Sequence, residues 1–199
     1  EGKFPLQGRD FHLLFAADAL DQALGMDRIF AALRQGSFRV DQRLKAIQFI
    51  SRVGNADQLA EFFAMAVKES APLATDQIAV LNALIEAQQL RKLIPSGDLS
   101  AITPLVRAQN PALMERAALL AGLWKVEPAR AELVKSFTQG GLEFSRLEAV
   151  AEGLRGFGGQ ETMKIFADAA LSHGDWATRA VAVNELATMA PQKAAEAAV

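Results

Sequence analysis

The sequence predicts an all-α fold, a stack of about six helical hairpins, and three observations carry that expectation. First, 38 of its 199 residues are Ala and none is Tyr; Ala enters a helix without loss of side-chain entropy, whereas aromatic and β-branched residues lead in strands. Second, five segments repeat one apolar register at steps of 34, 39, 30 and 33 residues. Third, each segment is followed by a Gly or Pro breaker, and no stretch alternates with period two for long enough to build a sheet.

The elements follow in order. Residues 9–36 read as an N-terminal hairpin, with Phe11, Leu14, Phe15 and Leu24 on its first helix and Ile29, Phe30 and Leu33 on its second. Residues 37–199 read as five repeats anchored on Arg43, Gln77, Arg116, Arg146 and Arg179. One residue after each anchor stand Leu44, Ile78, Ala117, Leu147 and Ala180; four after stand Ile47, Leu81, Leu120, Val150 and Val183. Seven after stand Ile50, Leu84, Leu123, Gly153 and Leu186, with the fourth segment slipping by one to Leu154. These positions share one helix face, so they predict a common buried stripe.

Breakers end these helices at Gly54-Asn55, Pro95-Ser96-Gly97, Glu127-Pro128, Gly156-Phe157-Gly158-Gly159 and Pro191, where Gly supplies a left-handed cap and Pro opens the next helix. Second amphipathic segments follow, carrying Leu59, Phe62, Phe63 and Ala66, then Leu133, Val134 and Phe137, then Met163, Phe166, Ala167 and Ala170. Pro104, capped by Thr103, starts a shortened helix in the second repeat. Ser37, Thr75, Asn110 and Asp175 mark further helix starts. The last repeat breaks off in Lys193–Val199 as a truncated second helix, and the chain opens on Glu, both expected of a segment cut from a longer protein.

Composition narrows the function classes. Hydrophobic residues make up 51% and charged residues 22%, which suits a packed domain with a solvated surface. The net charge is −2, with −1 in each half and no basic block, so the clustered cations of a nucleic-acid binder are missing. The absence of Cys excludes disulfides, thiolate catalysis and Cys-ligated metals and suits cytoplasm and periplasm alike. The apolar run Ala117–Trp124 is too short to span a membrane.

The hairpin period, with an Arg early in the first helix before small residues, resembles the HEAT family. Arg116-Ala117-Ala118-Leu119-Leu120-Ala121-Gly122-Leu123 and Asp175-Trp176-Ala177-Thr178-Arg179-Ala180-Val181-Ala182-Val183 match its pattern best, Arg43 and Arg146 match in part, and Gln77 replaces the Arg in the second repeat. The resemblance covers residues 37–199 and implies a right-handed α-α superhelix, a HEAT-like solenoid forming one repeat domain over 1–199. The Ala-rich style also resembles HEAT stretches that link a sugar-dehydrogenase-like propeller to a c-type cytochrome in large secreted bacterial proteins. No propeller or haem motif lies within this chain.

The chemistry-bearing residues read as structural. His12 and His173, the only histidines, lie far apart in a stack, so no His-based triad, metal site or organic cofactor is expected. Glu148 and Glu152 share a helix face at i, i+4, a spacing common on solvated helices. The Gly156–Gly159 cluster follows a helix and lacks a Gly-Lys-Ser/Thr, so it reads as a turn. Trp124 and Trp176 read as packed, and Arg116, Arg146 and Arg179 as ties between neighbouring hairpins.

The expected function is a non-catalytic scaffold for protein–protein contact or spacing, whose partner is a protein or the flanking domains of the same parent chain. Glu61, Lys68, Glu132, Lys135, Glu161, Lys164 and Asp168, on the second helices, are its expected partner-facing positions. An accessory domain of an extracytoplasmic dehydrogenase–cytochrome fusion is the alternative. A HEAT-like DNA glycosylase or a chromophore lyase fits less well, because the former needs a basic groove. Neither nucleic acid nor membrane insertion is expected.

Overall fold

Alanine-rich amphipathic segments become helices throughout the part of the chain that the computed structural model describes, residues 22–67 and 73–197. Among these residues there are ten α-helices, two 3₁₀ helices and no strand. The α-helices are α1 (Gln22–Gln35), α2 (Val40–Val53), α3 (Ala56–Val67), α4 (Gln77–Arg91), α5 (Pro111–Trp124), α6 (Glu127–Gln139), α7 (Phe144–Phe157), α8 (Gly159–Ser172), α9 (Trp176–Met189) and α10 (Pro191–Ala197). The 3₁₀ helices span Ala74–Asp76 and Ser100–Arg107. The chain divides into two compact units, Glu1–Gly97 and Asp98–Val199.

In the first unit α2 packs on α4, α3 on both, and α1 on α2. Ile29, Phe30 and Leu33 of α1 are buried. Leu24, expected on a separate helix, belongs to this same one, while Phe11, Leu14, Phe15 and His12 lie outside the described residues. The expected stripe holds at Ile47, Ile50, Leu81 and Leu84. It fails at Leu44, which is 43% exposed and lines a cavity of about 190 Å³ between α2 and α4, and Ile78 is only half-buried.

In the second unit, α5 packs on α7 and α7 on α9, and α6, α8 and α10 each touch the helix they follow. Here Ala117, Leu120, Leu147, Val150, Leu154 and Leu186 are buried, whereas Ala180 is exposed and Val181 and Ala182 take its place in the core. The rings of Phe137 (α6) and Phe166 (α8), both fully buried, meet edge-to-face with centroids 5.3 Å apart. Burial of one such ring contributes about 1.5–3 kcal/mol, and an edge-to-face pair adds about 0.5–1.5 kcal/mol.

Local chemistry sets the helix ends. Asn110 accepts from the Ala112 and Leu113 amides, and Asp175 accepts from those of Ala177 and Thr178; each satisfies donors that a helix start leaves free. Asn55 and Gln58 exchange reciprocal bonds of 2.9 Å across the start of α3, the geometry of a capping box. Three expected starts differ. Ser37 donates to the Ala32 carbonyl and so closes α1, while α2 begins at Val40. Thr75 falls inside a 3₁₀ turn, and α4 starts at Gln77. Thr103 and Pro104 lie within the 3₁₀ helix Ser100–Arg107, since a mid-helix Pro removes a donor and crowds the carbonyl four residues back. The left-handed caps of α4 and α5 are Lys92 (φ 55°) and Lys125 (φ 58°); Gly54, expected to be one, has φ −61°.

The slip of the fourth segment has a steric cause. A Cβ added to Gly153 of α7 would lie 2.6 Å from the Ala118 carbonyl oxygen of α5, and one added to Gly122 would lie 2.1 Å from the Gly153 oxygen. The backbones of α5 and α7 therefore touch at these glycines, and the large residue moves one place on, to Leu154. Gly→Ala within a helix ordinarily stabilises by about 1 kcal/mol. Gly122→Ala and Gly153→Ala should instead each destabilise by about 1–3 kcal/mol, the range for overpacking. Chemical denaturation measures this, and a stabilising result would refute the close approach.

Candidate functional site

The expected partner-facing positions divide by their ion pairs. Glu61 of α3 accepts from Arg34 of α1, whose Nε lies 2.9 Å away. Glu132 of α6 pairs with Arg107. Glu161 of α8 lies 2.7 Å from Arg130 Nη1. Lys135, Lys164 and Asp168 are exposed on α6 and α8, and Lys68 lies outside the described residues. Exposed ion pairs contribute on the order of 0–1 kcal/mol, so each pair mainly fixes the rotamers of the acid and its own arginine.

Sequence reasoning missed Arg130, whose side chain is only 15% exposed. Its guanidinium lies 5.7 Å from the centre of the Phe157 ring while also reaching Glu161. One residue of α6 thereby contacts the end of α7 and the start of α8. Nothing in its local spacing announces this, because the partners lie 27 and 31 residues away.

The first helices of the second unit frame a cavity of about 420 Å³. Its charged lining consists of Glu115 from α5, Glu148, Glu152 and Arg155 from α7, and Glu185 from α9, with Ser145, Asn184 and Thr188 as its neutral polar groups. The Glu148–Glu152 spacing noted in the sequence thus meets a third carboxyl from a neighbouring helix. The Glu185 side chain is only 9% exposed, and Arg155 Nε lies 3.1 Å from its Oε2, at ion-pair distance but without the alignment of a hydrogen bond. Burial pushes this carboxyl above the ordinary carboxylate range; Arg155 draws it down, and Glu152 and Glu148 push it up again. Among the described residues no group of three His, Asp or Glu side chains is placed to hold a metal ion.

His173 caps the end of α8 and ties two connections together. Its Nε2 lies 3.0 Å from the Thr138 carbonyl oxygen, and its Nδ1 accepts from the Asp175 amide at 3.1 Å. Both ring nitrogens are engaged by backbone. Trp124 is buried, as expected, but Trp176, expected to pack, is 68% exposed at the start of α9. The glycine cluster is a turn, in which Gly158 (φ 65°) separates α7 from α8. Among the described residues no helix is long and apolar enough to cross a membrane.

The anchor arginines bond to main chain or acid, each in its own way. Arg43 donates to Asp76 at 2.9 Å, reaching the turn before α4. Arg146 donates to the Ala108 carbonyl before α5, and Arg179 to those of His173 (2.6 Å) and Gly174 (3.2 Å). Arg116 bonds within its own helix, to the Ala112 carbonyl at 2.9 Å. No family model, characterised protein or solved structure matches this chain.

Removing a charged donor from a part-buried carbonyl costs about 1–3 kcal/mol, so Arg146→Ala and Arg179→Ala should each lower stability by that amount. Hydrogen exchange should show weakened protection nearest the changed residue. Wild-type stability in both variants, together with loss of binding to a partner, would make the arginines a recognition ladder instead.

Proposed function

We propose that this chain is a non-catalytic, HEAT-like repeat scaffold for protein–protein contact or for spacing within a larger protein. The observation that carries the reading is the serial packing of α5 on α7 and α7 on α9, each followed by a helix that touches it. Hairpins so arranged bury their apolar faces against neighbours, as in an α-α superhelix, and leave long faces open to a partner. Two further features favour binding over catalysis. The sequence has no Cys, and His173 spends both ring nitrogens on the backbone. Lys135, Lys164 and Asp168 are the second-helix positions we assign to the partner face, a polar surface of mixed sign such as modest protein contacts use.

A photo-crosslinking residue placed in turn at Lys135, Lys164 and Asp168 tests this assignment. Adducts to another protein or to a flanking domain should form at these three positions and be absent at Lys45. An absence of adducts at all three would sink the assigned surface.

A further inference from the structure

We infer that the joint between α7 and α9 is a proton-responsive switch, in which Arg155 changes its allegiance between Glu185 across the joint and Glu152 on its own helix. Arg155 sits in the last turn of α7, with Nε 3.1 Å from Glu185 Oε2 and Nη2 3.3 Å from Glu152 Oε1. One guanidinium thus serves two carboxylates of different surroundings, since the Glu152 side chain is 45% exposed and that of Glu185 only 9%. Glu148 adds a third negative charge from α7, and Glu115 of α5 lines the same cavity, 3.3 Å from Arg116. Among the described residues Arg155 is the cation whose charge acts on Glu185; Glu161, Lys164 and Asp168 of α8 are exposed, and the side chains of Lys193 and Glu196 on α10 lie outside the described residues.

The physical consequence follows from burial. A desolvated carboxyl favours its neutral form, and neighbouring carboxylates add to that preference, which is the direction found for Glu185. Above its raised titration range Glu185 is ionised and holds Arg155 across the joint. As pH falls through that range it takes up a proton, and Arg155 turns wholly to Glu152. The stability sign is fixed by the direction of the shift. A carboxyl raised in the folded state opposes folding when ionised, so the penalty is present at high pH and disappears below the ordinary carboxylate range. This switch stands apart from the scaffold reading, which neither measurement below addresses.

Two measurements on the whole chain test it. In an NMR titration the Glu185 side-chain carboxyl carbon and the Arg155 Nε should move with one midpoint, above the ordinary Glu value of about 4.3. Glu152→Gln should lower that midpoint, and Glu161→Gln on α8 should leave it in place. In thermal unfolding, Glu185→Gln should exceed the wild-type Tm by about 2–4 °C at pH 7.5 and by under ~1 °C at pH 4. A Glu185 midpoint in the ordinary range, an Arg155 signal that ignores it, or a Tm gap equal at both pH values would overturn the inference. The titration decides the matter by itself if the Gln variant fails to fold.

Discussion

The second unit depends on how closely α5 and α7 approach. With Gly122, Gly153 and Gly156 at the contact, the two backbones meet where any Cβ would collide with main-chain atoms. Interiors are packed at near-crystalline density, so this contact fixes the separation and register of the two helices more tightly than leucine packing would. Ala117, Ala118 and Ala121 continue the same small-residue surface on α5, all fully buried. The bonds that Lys125 makes across to the Gly156 and Phe157 carbonyls at the end of α7 work at the distance the glycines set.

Polar side chains then fasten helix ends that apolar packing leaves open. Lys125, at the end of α5, donates to the Gly156 and Phe157 carbonyls at the end of α7. In the first unit Arg91, ending α4, donates to the Ser51 and Gly54 carbonyls at the end of α2, at 2.8 and 2.6 Å. The last carbonyls of a helix lack partners and carry its negative dipole end, so a cation from the adjacent helix satisfies both. The same Lys125 adopts a left-handed backbone, a conformation that costs a non-glycine residue about 1–2 kcal/mol and that its side-chain bonds help to offset.

Charge is distributed differently on the two kinds of helix in the second unit. On the second helices the acids Glu132 and Glu161 are neutralised by Arg107 and Arg130. On the first helices four glutamates share a cavity with a single arginine. Glu132 and Glu161 are thus each held by an arginine, while the cavity between the first helices gathers four carboxyls around Arg155, with Arg116 beside Glu115. That asymmetry separates the scaffold assignment, made on α6 and α8, from the titrating joint, made on α7 and α9.

The sequence alone determined the helical class, the Asn110 and Asp175 caps, and most of the buried stripe, because these follow from propensity, local hydrogen bonding and the 3.6-residue period. Leu59, Phe62 and Phe63 could be placed in a core before any contact was known, since each lies on one face of its own helix. Only the tertiary structure decided why Gly153 displaces Leu154, where Arg130 and Arg155 reach, and that Glu185 is buried against Arg155 beside Glu148 and Glu152. It also exposed Trp176, which is expected from the sequence to be packed. These are properties of pairs some 30 residues apart in sequence, in which each member's meaning depends on the distance between two helices. Amphipathic periodicity states which face of a helix is buried; the backbone approach at the glycines decides what that face meets.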